Sequence, residues 1–316
     1  MSTLKPIGGY FELELPCGNE FHSSAIALNT GRNCLEYILR VRGYQCVYLP
    51  YYSCEVILEP FKKLNVDYKF YHINGHLELD EDIQLRDGEA ILYINYYGLK
   101  QDYTQLMARR YGERLIVDNT QAFFFPPLTG IDMFYSCRKF FGVADGAYLF
   151  CDKELEMPLE QDLSWERMGY LLERIDISPE SGYSAFLNQS ELLSDNPIKT
   201  MSRLTKRIMQ SIDYGQVAER RRSNFEFLAA ALNQKNGMSL PLNDDAVPMV
   251  YPFLSDDSHL RQRMIENKVF VATYWPNVRD WCDEGSLEHQ LASNLLPLPI
   301  DQRYDAEDME KILQLI

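Results

Sequence analysis

The chain has 316 residues, of which 46% are hydrophobic and 24% are charged, and its formal net charge at pH 7 is −15. A chain of this length and composition can bury a large core, which fits one large domain and one smaller domain. Because nucleic acids and anionic membrane surfaces bind basic protein faces, this acidic balance excludes them as default partners.

The N-terminal segment and the cysteines bear on the cellular compartment. Residues 1–18 contain no apolar segment typical of a signal peptide, and the richest apolar run, residues 90–98, has the length of a strand. The seven cysteines include no CxxC pair, and the five histidines do not cluster at ligand spacing. This pattern predicts a cytoplasmic protein with free thiols and no metal site.

In chain order, the first 150 residues alternate between helical periods and short apolar runs. Apolar residues recur at three- and four-residue steps in 32–42, 56–64 and 102–111, which predicts helices there. The short apolar runs predict strands at 46–49, 66–73, 90–97, 115–118, 133–135 and 147–151. The alternation indicates a mostly parallel sheet covered by helices on both faces, with ligands beyond the carboxyl ends of the strands.

The second half of the chain has a different pattern. Residues 159–195 are polar and predict helix and loop, and helical periods return at 206–212 and 217–232. Further elements are predicted as strands at 247–254 and 269–274, a helix at 258–267 and a last helix capped by Asp305. We therefore predict a large α/β domain over residues 1–235 and a smaller α+β domain over residues 236–316.

Three segments could carry chemistry. Residues 116–122 form an apolar strand that ends at Asp118, residues 134–147 place Lys139 among phenylalanines, and Gly31 opens the first helix. Singly, each has an ordinary structural explanation. A carboxylate at a strand end usually caps a turn, a lysine stem often lies on apolar surface, and a glycine before a helix is usually a turn residue.

Together, the three segments supply the groups that pyridoxal phosphate (PLP) requires. A lysine can bond to the cofactor aldehyde once its amine loses its proton, and burial of Lys139 beside Arg138 would lower the amine pKa. A carboxylate such as Asp118 can keep the pyridine nitrogen protonated, so that the ring accepts electrons. The start of the helix at Gly31 can bind the phosphate through free N–H groups.

These segments, in this order, resemble the DegT/StrS family of PLP-dependent sugar aminotransferases. The family's V-E-D-x-x-Q-A motif corresponds to residues 116–122, and its cofactor lysine falls on Lys139, followed by the acidic-glycine turn at Asp145-Gly146. The likeness covers most of residues 25–150 and is thin from 155 to 290. It implies PLP-dependent transferase fold type I, with a mostly parallel central sheet, helices on both faces and a smaller C-terminal α+β domain.

The resemblance also implies a role for the matching residues. Lys139 would hold PLP as a Schiff base and move a proton, Asp118 would pair with the pyridinium nitrogen, and Gln121 would lie near the ring hydroxyl. Lys139 and Asp118 are thus the predicted catalytic residues. The predicted cofactor-binding residues are Gly31, Arg32, Asn33, Tyr52, Asp118, Gln121, Ser136, Arg138 and Lys139.

The chain departs from the family pattern at three places. The family's first loop has a hydroxyl residue after its glycine, whereas Gly31 is followed by Arg32, which is predicted to reach the phosphate with its guanidinium. The cofactor-stacking aromatic of the family falls on Cys54, so that stacking by Tyr51 or Tyr52, or no stacking, stays open. The family's G-x-N-x-R segment, which reaches the neighbouring subunit's cofactor, has no clear match.

The implied activity is transfer of an amino group from an amino acid, with glutamate as the implied donor, to a nucleotide-linked keto sugar. Lys139 favours transamination, because dehydrating relatives have histidine there. The expected assembly is a homodimer. The alternative is a catalytically inactive PLP-fold protein that binds a sugar nucleotide or a protein partner. A nicotinamide enzyme and a serine hydrolase are disfavoured, since the sequence lacks G-x-G-x-x-G after a strand and G-x-S-x-G.

Overall fold

The computed structural model describes residues 7–316, with Ser190 described by its backbone only. Within these residues the strands are β1 (Ile26–Leu28), β2 (Cys46–Pro50), β3 (Asp67–Tyr71), β4 (Glu89–Ile94), β5 (Leu115–Asp118), β6 (Asp132–Ser136), β7 (Ala147–Phe150), β8 (Val250–Leu254) and β9 (Leu295–Pro299). The α-helices are α1 (Gly31–Arg42), α2 (Glu59–Leu64), α3 (Gln101–Tyr111), α4 (Gly169–Asp176), α5 (Tyr183–Leu192), α6 (Arg203–Met209), α7 (Tyr214–Leu232), α8 (Leu260–Glu266), α9 (Val278–Trp281), α10 (Leu287–Asn294) and α11 (Ala306–Leu313).

Seven strands form one sheet in the order β1-β7-β6-β5-β4-β2-β3. Strands β3, β2, β4, β5 and β6 run parallel, and β7 is antiparallel to both of its neighbours. Helix α1 packs on β6 and β7, and α3 packs on β4 and β5. The predicted α/β class, with a mostly parallel sheet covered by helices, is confirmed.

Local sequence accounts for the central elements. All six residues of β4 are buried, as expected of a parallel strand covered on both faces. Helix α1 begins where the Thr30 hydroxyl accepts the Asn33 N–H, and it ends at Gly43, whose φ of 67° places it in the left-handed region that glycine tolerates. Two residues separate the first helix from β1, which runs in the same direction as β5 and β6. Its N-terminus therefore lies on the side of the sheet where the carboxyl ends of β5 and β6 lie.

The C-terminal part of the chain contains a separate two-stranded antiparallel sheet of β8 and β9. Helix α11 begins at Asp305 with the predicted cap, here a full capping box. The predicted domain boundary at residue 235 falls between α7 and β8, although α7 packs on both β8 and α11. The division at this residue stays a prediction.

The strand predicted at 269–274 is wrong. These residues form a partly exposed loop that leads to Trp275 and α9, and β8 pairs instead with β9, which the pattern did not predict. An apolar run becomes a strand only where a partner strand supplies hydrogen bonds. Residues 269–274 have no such partner in the described part of the chain, and the partner of β8 lies about 40 residues further along the chain, at β9. Within residues 7–316, no helix is both long and apolar enough to cross a membrane.

Candidate active site

A cavity of about 210 Å³ lies at the carboxyl ends of β5 and β6. Its wall combines the start of α1, the residues after β2, the ends of β5 and β6, and a loop from the C-terminal part. The lining residues include Thr30, Gly31, Arg32, Ser53, Cys54, Asp118, Thr120, Gln121, Phe134, Ser136, Arg138, Lys139, Gly146, Tyr274 and Trp275. The three segments that the sequence singled out therefore meet at one cavity.

Two residues of the predicted cofactor-binding set, Asn33 and Tyr52, do not line this cavity. The Asn33 side chain donates to the Asn196 carbonyl at 2.9 Å, and its backbone N–H is used by the Thr30 cap. Tyr52 is fully buried, with its hydroxyl 3.0 Å from that of Tyr97. Both residues pack behind the cavity and do not form part of its wall.

Neither tyrosine considered for cofactor stacking faces the cavity. The ring of Tyr51 stacks on that of Phe70 with centroids 4.7 Å apart, and the ring of Tyr52 packs edge-on against Trp275 at 5.1 Å. The aromatic rings that do line the cavity belong to Phe134, Tyr274 and Trp275.

Lys139 and Asp118 come together through Thr120. The chain leaves β6 at Ser136 and enters a single 3₁₀ turn that carries Lys139 into the cavity. The Lys139 amine donates to the Thr120 hydroxyl at 3.2 Å, and the Asp118 carboxylate accepts the Thr120 backbone N–H at 2.8 Å. Lys139 is an exposed residue, but its exposed surface lines this cavity and a second one beside it, where the surrounding protein displaces water from the amine.

Enclosure changes the protonation of both groups. Burial lowers the pKa of the Lys139 amine, against the opposite effect of the Asp118 carboxylate. Burial likewise raises the pKa of Asp118, although Lys139 and Thr120 act to lower it. The amine therefore loses its proton more readily than an exposed lysine, and the carboxylate favours a cationic partner beside it.

The first turn of α1 presents free backbone donors to the cavity. It contains no acidic residue, and the cap takes only the Asn33 N–H, which leaves the Gly31 and Arg32 N–H groups among the free donors of a helix start. A Cβ on Gly31 would lie 3.3 Å from the Thr120 side chain and 3.6 Å from the Phe134 ring. Glycine thus lets the backbone approach the cavity closely.

Two buried polar atoms at the cavity have no hydrogen-bond partner within the described chain, Gln121 Nε2 and Arg138 Nε. Gln121 Oε1 accepts the Tyr97 N–H at 2.9 Å, which leaves its amide donor free. Burial lowers the pKa of Arg138, which lies close enough to Arg32 for the two charges to repel. Because an unpaired buried polar group is costly, both residues fit a bound ligand.

Arg32 differs from Arg138, because its guanidinium is already engaged. It forms an ion pair with Glu59, and Glu59 also accepts the Asp195 N–H at 2.8 Å. Arg138 is therefore the better placed of the two side chains to bind an anion in the cavity that both residues line.

The acidic-glycine turn has a structural role. Asp145 is fully buried and accepts the Ser202 N–H at 2.9 Å and the Thr205 hydroxyl, so that it fixes the start of α6. Gly146 has a φ of 107°, and a Cβ there would lie 2.8 Å from the Thr205 side chain. The turn brings Gly146 to the cavity wall and requires glycine at that position.

Among residues 7–316, the ligand atoms of Asp132, Cys151 and Asp152 lie close enough together to suggest a metal. The Arg42 guanidinium donates to Asp132 at 2.7 Å through two bonds and also to Asp152. Arg42 thus occupies the position that a cation would take.

Thr120 and Trp275 were missed as site residues. Thr120 had a local signal, since it lies between Asp118 and Gln121 directly after β5. Trp275 had none, because it directly follows the segment 269–274 that was predicted as a strand, yet its ring centroid is 5.9 Å from the Lys139 amine.

A second cavity of about 850 Å³ adjoins the first and shares Arg138 and Lys139 with it. Its wall is mostly apolar and aromatic, with charged groups of both signs at intervals, among them Arg174, Glu180 and the ion pair of Arg303 with Asp301. This volume is within the usual range of small-molecule sites. Lys139 can therefore face a second molecule bound beside the first cavity.

No protein-family model matches this chain, and no curated protein sequence matches it either. Solved structures do match. A DegT/DnrJ/EryC1/StrS aminotransferase from Brucella abortus is 15% identical, with a TM-score of 0.60, over 92% of this chain and 84% of that one. DesV from S. venezuelae, solved in complex with a ketimine intermediate, is 16% identical, with a TM-score of 0.65, over 92% and 83%.

The fold is that of PLP-dependent sugar aminotransferases, fold type I. The resemblance first seen in the sequence motifs is thereby confirmed for the fold. The same fold also includes GDP-4-keto-6-deoxymannose-3-dehydratase, ColD, which is 12% identical with a TM-score of 0.63 over 92% of this chain and 87% of that one. Because the fold serves more than one reaction, the activity is argued from the site itself.

Proposed function

We propose that this chain is a PLP-dependent aminotransferase, which transfers an amino group from an amino acid to a keto sugar through a Schiff base on Lys139. Glutamate as donor and a nucleotide-linked acceptor are the substrates that the resemblance to the DegT/StrS family implies. The proposal includes a cytoplasmic homodimer, which the cysteine pattern and the family resemblance imply respectively.

One observation carries the proposal: the enclosed Lys139 amine and the buried Asp118 carboxylate share Thr120 in a single cavity. The rest of the wall fits PLP. Gln121 offers an unpartnered amide donor for the ring hydroxyl, while Arg138 and the start of α1 offer donors for the phosphate.

Bound in this cavity, PLP would supply an aldehyde carbon that bonds to amines and a ring that accepts electrons from a substrate carbon. Asp118 would hold a proton on the pyridine nitrogen, since burial makes a cationic neighbour favourable for its carboxylate. Lys139, displaced by the amino donor, would move a proton as a base whose pKa burial has lowered.

The second cavity would hold the substrate. It opens on Lys139, so that a carbonyl or amino group placed there can reach the bond-forming position. Its aromatic wall, together with Arg138 and Arg174, which make no ion pair among the described residues, suits a molecule that has both flat apolar and anionic parts, as a nucleotide-linked sugar does.

Replacing Arg138 by glutamine is expected to weaken PLP retention roughly ten- to hundredfold, the usual loss for one hydrogen bond to a charged group. Replacing Arg32 by alanine should have a smaller effect, because its guanidinium is engaged by Glu59. Absorbance titration of both variants with PLP measures the difference. A larger loss for Arg32→Ala would return the phosphate role to Arg32, as the sequence first suggested.

The test of the proposed activity is a half-reaction. PLP-loaded protein mixed with glutamate should lose its Schiff-base absorbance as the cofactor takes up the amino group, and a keto sugar should restore it. A panel of amino acids covers other donors. Stable PLP absorbance with every donor would favour the alternative, an inactive PLP-fold protein that binds a sugar nucleotide or a protein.

A further inference from the structure

Arg221 on α7 is the largest of the fully buried side chains, with 1% of its surface exposed. It makes no ion pair within the described residues, and the nearby Asp301 carboxylate is paired with Arg303 at 2.7 Å. Burial lowers the pKa of Arg221 to about 10, in spite of the opposite effect of Asp301. A buried charge without a close carboxylate is costly, so that a compensating role is expected.

The Arg221 guanidinium bonds to three segments that are distant in sequence. It donates to the carbonyls of Met249 at 2.9 Å and Pro248 at 3.3 Å and to the side-chain oxygen of Gln302 at 3.1 Å. It also lies 4.5 Å from the centre of the Phe140 ring and makes a long hydrogen bond of 3.5 Å to the Phe140 carbonyl. One side chain therefore joins α7, the residues before β8, the residues after β9 and the turn that carries Lys139.

The first of these contacts leads to Lys139. Because Arg221 donates to the Gln302 oxygen, it orients the Gln302 amide nitrogen, which donates to the Phe140 carbonyl at 2.8 Å. Phe140 directly follows Lys139 and closes its turn with a bond to the Cys137 carbonyl at 3.1 Å. Phe140, the residue after Lys139, is thus held through both its aromatic ring and its backbone carbonyl.

The second contact leads to Gln121. The Met249 N–H donates to the Tyr97 carbonyl at 2.8 Å, and the Tyr97 N–H donates to Gln121 Oε1 at 2.9 Å. Tyr97 has a φ of 57°, and a Cβ on the next residue, Gly98, would lie 2.7 Å from the Val247 carbonyl. This close packing fixes the Tyr97 N–H, which in turn directs the free Gln121 amide toward the cavity.

We propose that Arg221 is a positioning residue that sets Lys139, through Gln302 and Phe140, and Gln121, through Met249 and Tyr97, at the same cavity. Its effect on a bound cofactor rests on the proposed function, but its effect on the Lys139 amine does not. A purely structural Arg221 would change stability and leave the environment of that amine unaltered.

The test uses the protein without added PLP. The rate at which acetic anhydride labels Lys139, followed by peptide mass mapping across a pH series, reports the midpoint at which its amine loses a proton. The groups that face the amine are Asp118, Arg138 and Cys54. In Arg221→Lys, a looser turn admits water and the midpoint should rise, so that labelling at neutral pH falls about threefold or more, a pKa rise of about half a unit.

Arg222→Lys is the matched control. Arg222 is the next residue of α7 and also donates to backbone carbonyls, those of Asn243 at 2.9 Å and Ala246 at 2.6 Å, but no contact connects it to Phe140. In Arg222→Lys, the midpoint of Lys139 labelling should equal that of the unmodified chain. Equal midpoints in Arg221→Lys and Arg222→Lys, with similar losses of thermal stability, would overturn the proposal.

Gln302→Leu tests the same connection if Arg221→Lys fails to fold. This change removes the bond to the Phe140 carbonyl from a partly exposed position, and it should raise the Lys139 midpoint as well. Gln302→Leu leaves the direct bond of Arg221 to the Phe140 carbonyl in place, so an unchanged Lys139 midpoint in the folded variant contradicts the proposed route through Gln302. Since the readout needs no cofactor, a protein that never binds PLP would refute the proposed function and still leave this inference testable.

Discussion

Asp118→Asn is expected to keep the Schiff base at Lys139 and to lower turnover about 10³-fold, the upper range for loss of one electrostatic partner in an active site. Asparagine has nearly the same shape and can still accept the Thr120 N–H that bonds to Asp118 at 2.8 Å. It carries no charge, however, and so it cannot hold a proton on the pyridine nitrogen. Steady-state turnover and the absorbance spectrum of one preparation measure the two effects.

Stability provides the control for this change. Because burial raises the pKa of Asp118, the folded protein disfavours its charged form, and the variant without PLP should be at least as stable at neutral pH as the unmodified chain. Thermal unfolding in the absence of cofactor measures this. Near-normal turnover in Asp118→Asn would refute the proposed role, whereas a large loss of stability would show that its inactivity comes from misfolding.

Lys139→Ala should abolish the Schiff-base absorbance and lower turnover by about 10³- to 10⁴-fold, since it removes both the covalent attachment and the proton-transfer group. A small primary amine added to the buffer should restore part of the turnover, because the cavity left by the side chain opens to solvent. Lys100→Ala is a suitable control. Lys100 is mostly buried and bonds to Glu78, and it does not line either cavity. Lys139→Ala with unchanged turnover would remove Lys139 from the mechanism.

The sequence predicts the parts of the site that depend on local structure. The apolar runs of β5 and β6 and the helix start at Gly31 are short-range patterns, and in a parallel sheet their ends meet at one edge. Asp118 and Lys139 could therefore be placed together without coordinates. The family resemblance added an expected role for each of them.

Side-chain direction lies beyond such patterns. Nothing near Arg32 shows that its guanidinium pairs with Glu59, which leaves Arg138 as the cation with an unpartnered donor. The direction of the Tyr52 side chain could not be predicted either, since its burial against Trp275 depends on a loop more than 200 residues away in sequence. Contacts of this kind are decided by packing between distant segments.

The contributions of the C-terminal part were missed for the same reason. Trp275 directly follows a loop that has the apolar character of a strand, and Arg221 is one of three consecutive arginines in α7. The helical period places Arg221 on the same face as Val217 and Phe225, and the fold buries it there while Arg222 is less buried. The period does not show which groups the buried Arg221 guanidinium contacts.

Borohydride reduction of the PLP-loaded protein, followed by peptide mass mapping, tests the central claim most directly. Reduction converts the Schiff base into a stable bond, so that the cofactor marks the lysine that held it. We expect the added mass on the peptide that contains Lys139 and on no other peptide, with none in Lys139→Ala. A label on a different lysine, or no label at saturating PLP, would contradict the account of this cavity as a PLP site built around Lys139.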